Sequence, residues 1–105
     1  MNNDGIISLL GIAKRAGKVV SGEFSTEKSI KEKKAKLVIV SEDASNNTKK
    51  LFTNKTTFYS VPLVFYSDKN SLGHGIGCEM RTSLAILDEG LANAIIKKIE
   101  ELKEM

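Results

Sequence analysis

A single cysteine, Cys78, stands in this 105-residue chain. It has no internal partner for a disulfide and no second thiol for a structural zinc site, so a reducing compartment suits the protein. Long apolar runs are missing as well. Stretches such as Leu37 to Val40 and Pro62 to Phe65 fall far short of the roughly 20 residues that a bilayer-spanning helix needs, and no membrane segment is expected. The start has no basic opening, and Asp4, Ser8 and Lys14 interrupt its apolar stretch. That excludes a secretory signal and leaves a cytoplasmic protein as the expectation. Internal repeats, linkers and low-complexity segments are lacking too, so residues 1–105 are expected to form one domain.

What is present suits a folded chain. Hydrophobic residues make up 41% and charged residues 28%, ordinary values that exclude disorder throughout. At this length roughly 65% of the unfolded surface can be buried, enough for one compact core. The net charge is +3, unevenly spread. Residues 1–36 carry +4, residues 37–88 are balanced, and residues 89–105 carry −1. The asymmetry suggests a polyanionic partner at one end, although a solvated lysine-rich surface would give the same pattern.

Ile6, Leu9, Leu10 and Ala13 recur at helical spacing after the capping candidates Asn3 and Asp4. Gly17 can supply a left-handed stop, so a helix near residues 4–15 is expected. Lys18 to Ser21 reads as extended. Ser21-Gly22 then opens a second helix reaching about Lys34, whose only large apolar residues are Phe24 and Ile30. Most of that helix must face solvent or a partner. Leu37-Val38-Ile39-Val40 is continuous and rich in β-branched residues, the mark of a strand covered on both faces. A third helix over Thr48 to Lys55, with Leu51 and Phe52 inward and Asp43 as cap, precedes a strand over Val61 to Phe65. The sole proline, Pro62, lies near that strand's start, where a missing N–H is tolerated. A short helix over Lys69 to Ile76, a strand over Thr82 to Leu87 and a C-terminal helix carrying Leu91, Ala94, Ile95, Ile99 and Leu102 complete the reading. The fold class is α/β, a three-layer α/β/α sandwich around a mixed four-stranded sheet.

Four features bear on chemistry. His74 and Cys78 lie four apart, but Gly75 and Gly77 between them make a helical turn doubtful and no cysteine-hydrolase signature surrounds the thiol. A small buried thiol and a surface imidazole are the simpler identities. The run Gly73-His74-Gly75-Ile76-Gly77 matches neither nucleotide-binding fingerprint, so these glycines are read as ending one helix and turning the chain, with nucleotide binding as the alternative. Glu42-Asp43 follows the central strand, where α/β folds place ligands, but no histidine set or second acidic cluster accompanies it for a metal. The strongest feature is the start of the second helix. Its free amides, its dipole and Lys28 and Lys31 make an anion-docking surface, which Lys14, Arg15 and Lys18 are expected to join.

At this point the residues resemble a known family. Gly22 to Lys28, Ala35 to Ala44, Val61-Pro62, and Lys69 with Leu72-Gly73 and Gly77 occur in the order seen in the ribosomal L-seven-Ae family of kink-turn RNA-binding proteins. The likeness spans about residues 5–100, and Gly11 to Glu23 is similar to its bacterial YlxQ-type branch. The resemblance implies a non-catalytic protein without a cofactor that binds kink-turn-like structured RNA and associates with ribosomes. The family docks the N-terminal end of the second helix through Gly-x-Asn-Glu-x-x-Lys. Here Gly22 and Lys28 match, while Phe24 and Ser25 replace the asparagine and glutamate, with Glu23 just before them. Phenylalanine offers stacking or apolar contact where asparagine offers hydrogen bonds, so weaker kink-turn discrimination is expected. The resemblance further implies that Ser45 and Lys69 meet a flipped-out nucleotide, and that Met80 and Arg81 cover the bent backbone. The alternative is a protein-interaction module that binds an acidic partner through the same basic end, with Phe24 as its anchor.

Overall fold

The Leu37–Val40 run lies where the molecule is deepest, all four side chains fully buried. In the computed structural model, which describes residues 5–104, this strand is β2 of a four-stranded sheet. The elements follow as α1 (Ile6–Arg15), β1 (Val19–Ser21), α2 (Glu23–Lys31), β2 (Leu37–Val40), α3 (Asn46–Tyr59), β3 (Leu63–Phe65), α4 (Lys69–Gly75), β4 (Ser83–Ile86) and α5 (Glu89–Lys103). The strand order is β1-β4-β2-β3. β4 runs antiparallel to both β1 and β2, whereas β2 and β3 are parallel. Among the described residues no helix is long and apolar enough to cross a membrane.

Alternation along the central strands divides the interior into two cores. Leu37 and Ile39 of β2, with Leu84 and Ile86 of β4, meet Ile6, Leu10 and Ala13 of α1, Leu72 of α4, and Ile95 and Ile99 of α5. Val38, Val40 and Ala85 face the opposite way, against Ile30 of α2 and Phe52 of α3. The sheet thus lies between α1, α4 and α5 on one side and α2 and α3 on the other, as the sequence led us to expect.

Several boundaries differ from the sequence reading. Asn3 and Asp4 lie outside the described residues, and Gly5 occupies the N-cap of α1 with φ 86°. Gly17 takes the expected left-handed turn at φ 70°. α2 stops at Lys31 rather than Lys34, because Lys33 turns left-handed at φ 62° and the Lys34 and Ala35 N–H groups both donate to the Ser29 carbonyl. α3 is longer at both ends than Thr48 to Lys55. Its cap is Ser45, whose Oγ accepts from the Thr48 N–H at 3.1 Å, and not Asp43. That carboxylate instead accepts the Lys69 N–H at 3.0 Å and ties the β2–α3 loop to α4.

Candidate nucleic-acid interface

α2 opens on a backbone shape that glycine alone adopts freely. Gly22 has φ 89° and ψ 157°, its N–H donates to the Ser83 carbonyl of β4 at 3.0 Å, and a Cβ there would meet nothing within 4 Å. The requirement for glycine therefore comes from the dihedral angle and not from crowding. Among the described residues no side chain caps the helix. Its first-turn amides point along the axis away from the helix body, at the positive end of the dipole. Glu23 and Phe24 are exposed beside them and Ser25 is half-buried. Phe24 shows 78% of its surface, although it is one of only two large apolar residues in α2.

A hydrogen-bonded rim borders that helix start at the end of the sheet where β1 and β2 finish and β4 begins. The Arg81 Nε donates to Ser21 Oγ at 3.0 Å and its Nη1 to the Met80 carbonyl at 2.9 Å. The Arg81 N–H donates to the Lys69 carbonyl at 2.9 Å, and the Lys69 N–H reaches Asp43 Oδ1. The Ser41 hydroxyl beside Asp43, the amides it faces and the Lys69 ammonium hold its carboxyl below the usual carboxylate range, although Ser41 Oγ makes no bond of full hydrogen-bonding geometry. Met80 projects from this rim with 55% of its surface open. Ser45 lies two residues beyond Asp43, its hydroxyl accepting from Thr48 N–H and donating to Thr48 Oγ1 at 3.0 Å.

The two lysines of α2 lead away from its start. Lys28 pairs loosely with Glu32 at 3.9 Å and Lys31 with Glu27 at 3.4 Å, exposed one-turn pairs that hold their ammonium groups weakly. A shallow groove of about 290 Å³ follows α2 past Val20, Phe24, Ser25, Lys28, Lys34 and Leu87. Lys14 and Lys18 do not join it at the helix mouth. Lys18 accepts the Leu87 N–H at the far end of β1, four residues and roughly 13 Å of extended chain from Gly22. Lys14 sits in the last turn of α1 beside it. Lys18 thus lies away from the helix mouth and next to Leu87, which lines the same groove as Lys28 and Lys34.

The competing chemistries find little support. His74 is exposed, and the half-buried Cys78 directs its thiol to the Ile76 carbonyl at 3.7 Å. Among the described residues no three His, Cys, Asp or Glu side chains gather as metal ligands. In the glycine run, the Ile76 and Cys78 N–H groups donate to Gly73 O and the Gly77 N–H to His74 O, so these amides are engaged within the turn.

With this geometry in view, comparison with known proteins is decisive. The family model described as Ribosomal protein L7Ae/L30e/S12e/Gadd45 matches residues 4–96. The chain belongs to this family. A Bacillus subtilis (strain 168) protein named RNA-binding protein YlxQ is 46% identical over 92 residues, covering 88% of this chain and 92% of the relative. The Enterococcus faecium protein of the same name is 39% identical over 103 residues, 98% of this chain and 95% of that one. Among solved structures, a Bacillus halodurans protein of unknown function superposes with a TM-score of 0.90 at 31% identity, over 93% of this chain and 99% of its own.

Of the expected contacts, Arg81 is joined to Ser21 beside Gly22 and to the Lys69 carbonyl, Met80 precedes it, and Lys28 and Lys31 lie along α2. Sequence reasoning did not find the struts behind them. Asp43 appeared as a helix cap, and Ser21 was not considered a partner of Arg81. The two contacts join residues 26 and 60 positions apart, and no local spacing signals such pairs.

Proposed function

We propose that the protein is a non-catalytic RNA-binding protein that receives a kink-turn-like bend at the N-terminal end of α2 and works in association with ribosomes. The observation that carries this reading is the uncapped start of α2, opened by Gly22 and bordered by Lys69, Met80 and Arg81. Outward amides there bind phosphate without regard to sequence, and the bases splayed at a bend bring edges and faces that a regular duplex hides. Lys28 and Lys31 add phosphate contacts along the helix. Phe24 stacks where the usual asparagine would hydrogen-bond, which favours a flat base face over a particular edge pattern. In this scheme Ser45 and Arg81 act mainly through the protein, as a helix cap and a loop brace. Lys14 and Lys18 serve only a ligand long enough to reach the far end of β1.

Lys28→Glu tests the reading, since that side chain is 60% exposed and its ion pair with Glu32 is long, at 3.9 Å. Gel-shift titration should show at least a tenfold loss of affinity for a kink-turn RNA, about 1.4 kcal/mol, with the thermal midpoint unchanged. Undiminished binding would exclude the flank of α2 from the interface.

The exposed Phe24 favours a second reading, a protein-interaction module of the same fold that anchors an acidic partner through this ring. Nuclease treatment separates the two. A purified complex that keeps its partner after complete RNA digestion supports the module.

A further inference from the structure

The outer face of the α2/α3 layer carries a feature that the kink-turn reading leaves unused. α3 contains Lys49, Lys50 and Lys55 and no acidic residue. Near its C-terminal end Phe58 leaves 78% of its surface exposed. Tyr59 holds that ring edge-to-face, with centroids 4.9 Å apart and planes at 76°. A shallow recess of about 440 Å³ lies beside it, lined by Leu51, Asn54, Lys55, Phe58 and Tyr59. Glu27 of α2 lies between two neighbouring cations, its Oε2 3.5 Å from Lys55 Nζ and 3.4 Å from Lys31 Nζ. Two ammonium groups thus share one carboxylate, leaving an excess positive charge that bridges α2 and α3.

We propose that this recess is a second RNA site, for an unpaired nucleotide of a single strand that leaves the bend at the start of α2. It rests on the RNA-binding reading above and extends it. The base would stack on Phe58, Asn54 would meet its edge with one donor and one acceptor, and Lys55 would meet its phosphate. The chemistry favours this occupant over others. A duplex keeps its bases stacked and cannot offer a face to Phe58. Self-association about a two-fold axis through the ring would set the lysines of one α3 against those of the other. α3 is 14 residues and so about 21 Å long, within reach of a short strand that passes over Lys28 and Lys31 from the α2 mouth.

The test compares a kink-turn RNA with the same RNA carrying an unpaired extension of about eight nucleotides, by fluorescence anisotropy on the full chain. The extension should raise affinity about tenfold, the gain from one stacked base. Phe58→Ala should erase that gain, leave binding of the unextended RNA and the thermal midpoint unchanged, and Phe58→Tyr should restore it. In parallel, the free eight-nucleotide strand should shift the amide resonances around Phe58, whereas a mononucleotide at equal concentration should shift them far less. Equal affinity for both RNAs, or a gain that survives Phe58→Ala, overturns the second site alone. If the unextended kink-turn RNA does not bind, the reading of the α2 mouth fails, and the resonance shifts still decide whether the recess takes single strands.

Discussion

Gly73 shows how one residue sets the position of the loop that borders the interface. A Cβ at this place would collide with the backbone carbonyl of Glu79 and approach the Met80 Cα to 3.0 Å. Backbone cannot swing aside as the tip of a lysine can. The glycine carbonyl also accepts from the Ile76 and Cys78 N–H groups at 3.1 and 2.8 Å, so the turn folds tightly back on α4. Gly73→Ala should therefore lower stability by about 2 kcal/mol through overpacking. A urea titration would measure that loss, and an unchanged midpoint would mean that the loop accommodates a methyl group. RNA affinity should fall in the same variant, since Met80 and Arg81 move with the loop. The sequence showed that these glycines turn the chain. It could not show that Gly73 is packed against a loop folded back on its own helix, because close approach leaves no mark on composition or period.

At the scale of elements, legibility followed the strength of the local pattern. β2 was readable as a central strand because four consecutive apolar residues need cover on both faces. α1 and α5 were readable because their apolar residues recur at helical spacing. α3 was seen only in part. Its sequence from Asn46 to Tyr59 holds four threonines and three asparagines but only Leu51, Phe52, Phe58 and Tyr59 as large apolar residues, so neither propensity nor periodicity marked its ends. Tertiary contacts supply what the pattern lacks. Phe52 fills the core beneath the helix, and the buried Thr56 hydroxyl donates to the Phe52 carbonyl at 2.7 Å. The sequence alone points to Asp43, two residues before the true cap, since carboxylate and hydroxyl serve equally well at that position. Ser45→Ala should cost about 1 kcal/mol of stability, measured by thermal unfolding. The Ser45 hydroxyl is already engaged with Thr48, so RNA affinity should stay within about twofold, under 0.5 kcal/mol. A larger loss of binding at unchanged stability would make Ser45 a direct contact.

For the molecule as a whole, the arrangement of charge matters more than the net +3. Lys69 and Arg81 border the α2 mouth, Lys28 and Lys31 lie along α2, and Lys18 sits at the opposite end of β1 from that mouth. If about four phosphates are neutralised, log affinity for a kink-turn RNA should fall against log salt with a slope of roughly −3 to −4. Titration between low and physiological salt would measure it, and a flat response would contradict phosphate-driven docking. That Lys18 sits at the opposite end of β1 from Gly22 depends on the strand between them, and charge counts along the chain could not reveal it.

The two cores are unequal, and the difference bears on which part of the molecule yields first. The side covered by α1, α4 and α5 is built mainly from isoleucine and leucine, with Ala13, Ala92 and Tyr66 among them. Beneath α2 and α3 the filling includes Ala35, Ala44 and Ala85, with Ile30 and Phe52 as the main bulk from the helices. The buried Thr26 and Ser83 hydroxyls find no hydrogen-bonding partner among the described residues. The layer on which we propose that RNA docks is thus the more weakly anchored one, prone to open while the remainder stays folded. A ligand clasped across it would act as a brace, so that occupancy and local rigidity rise together.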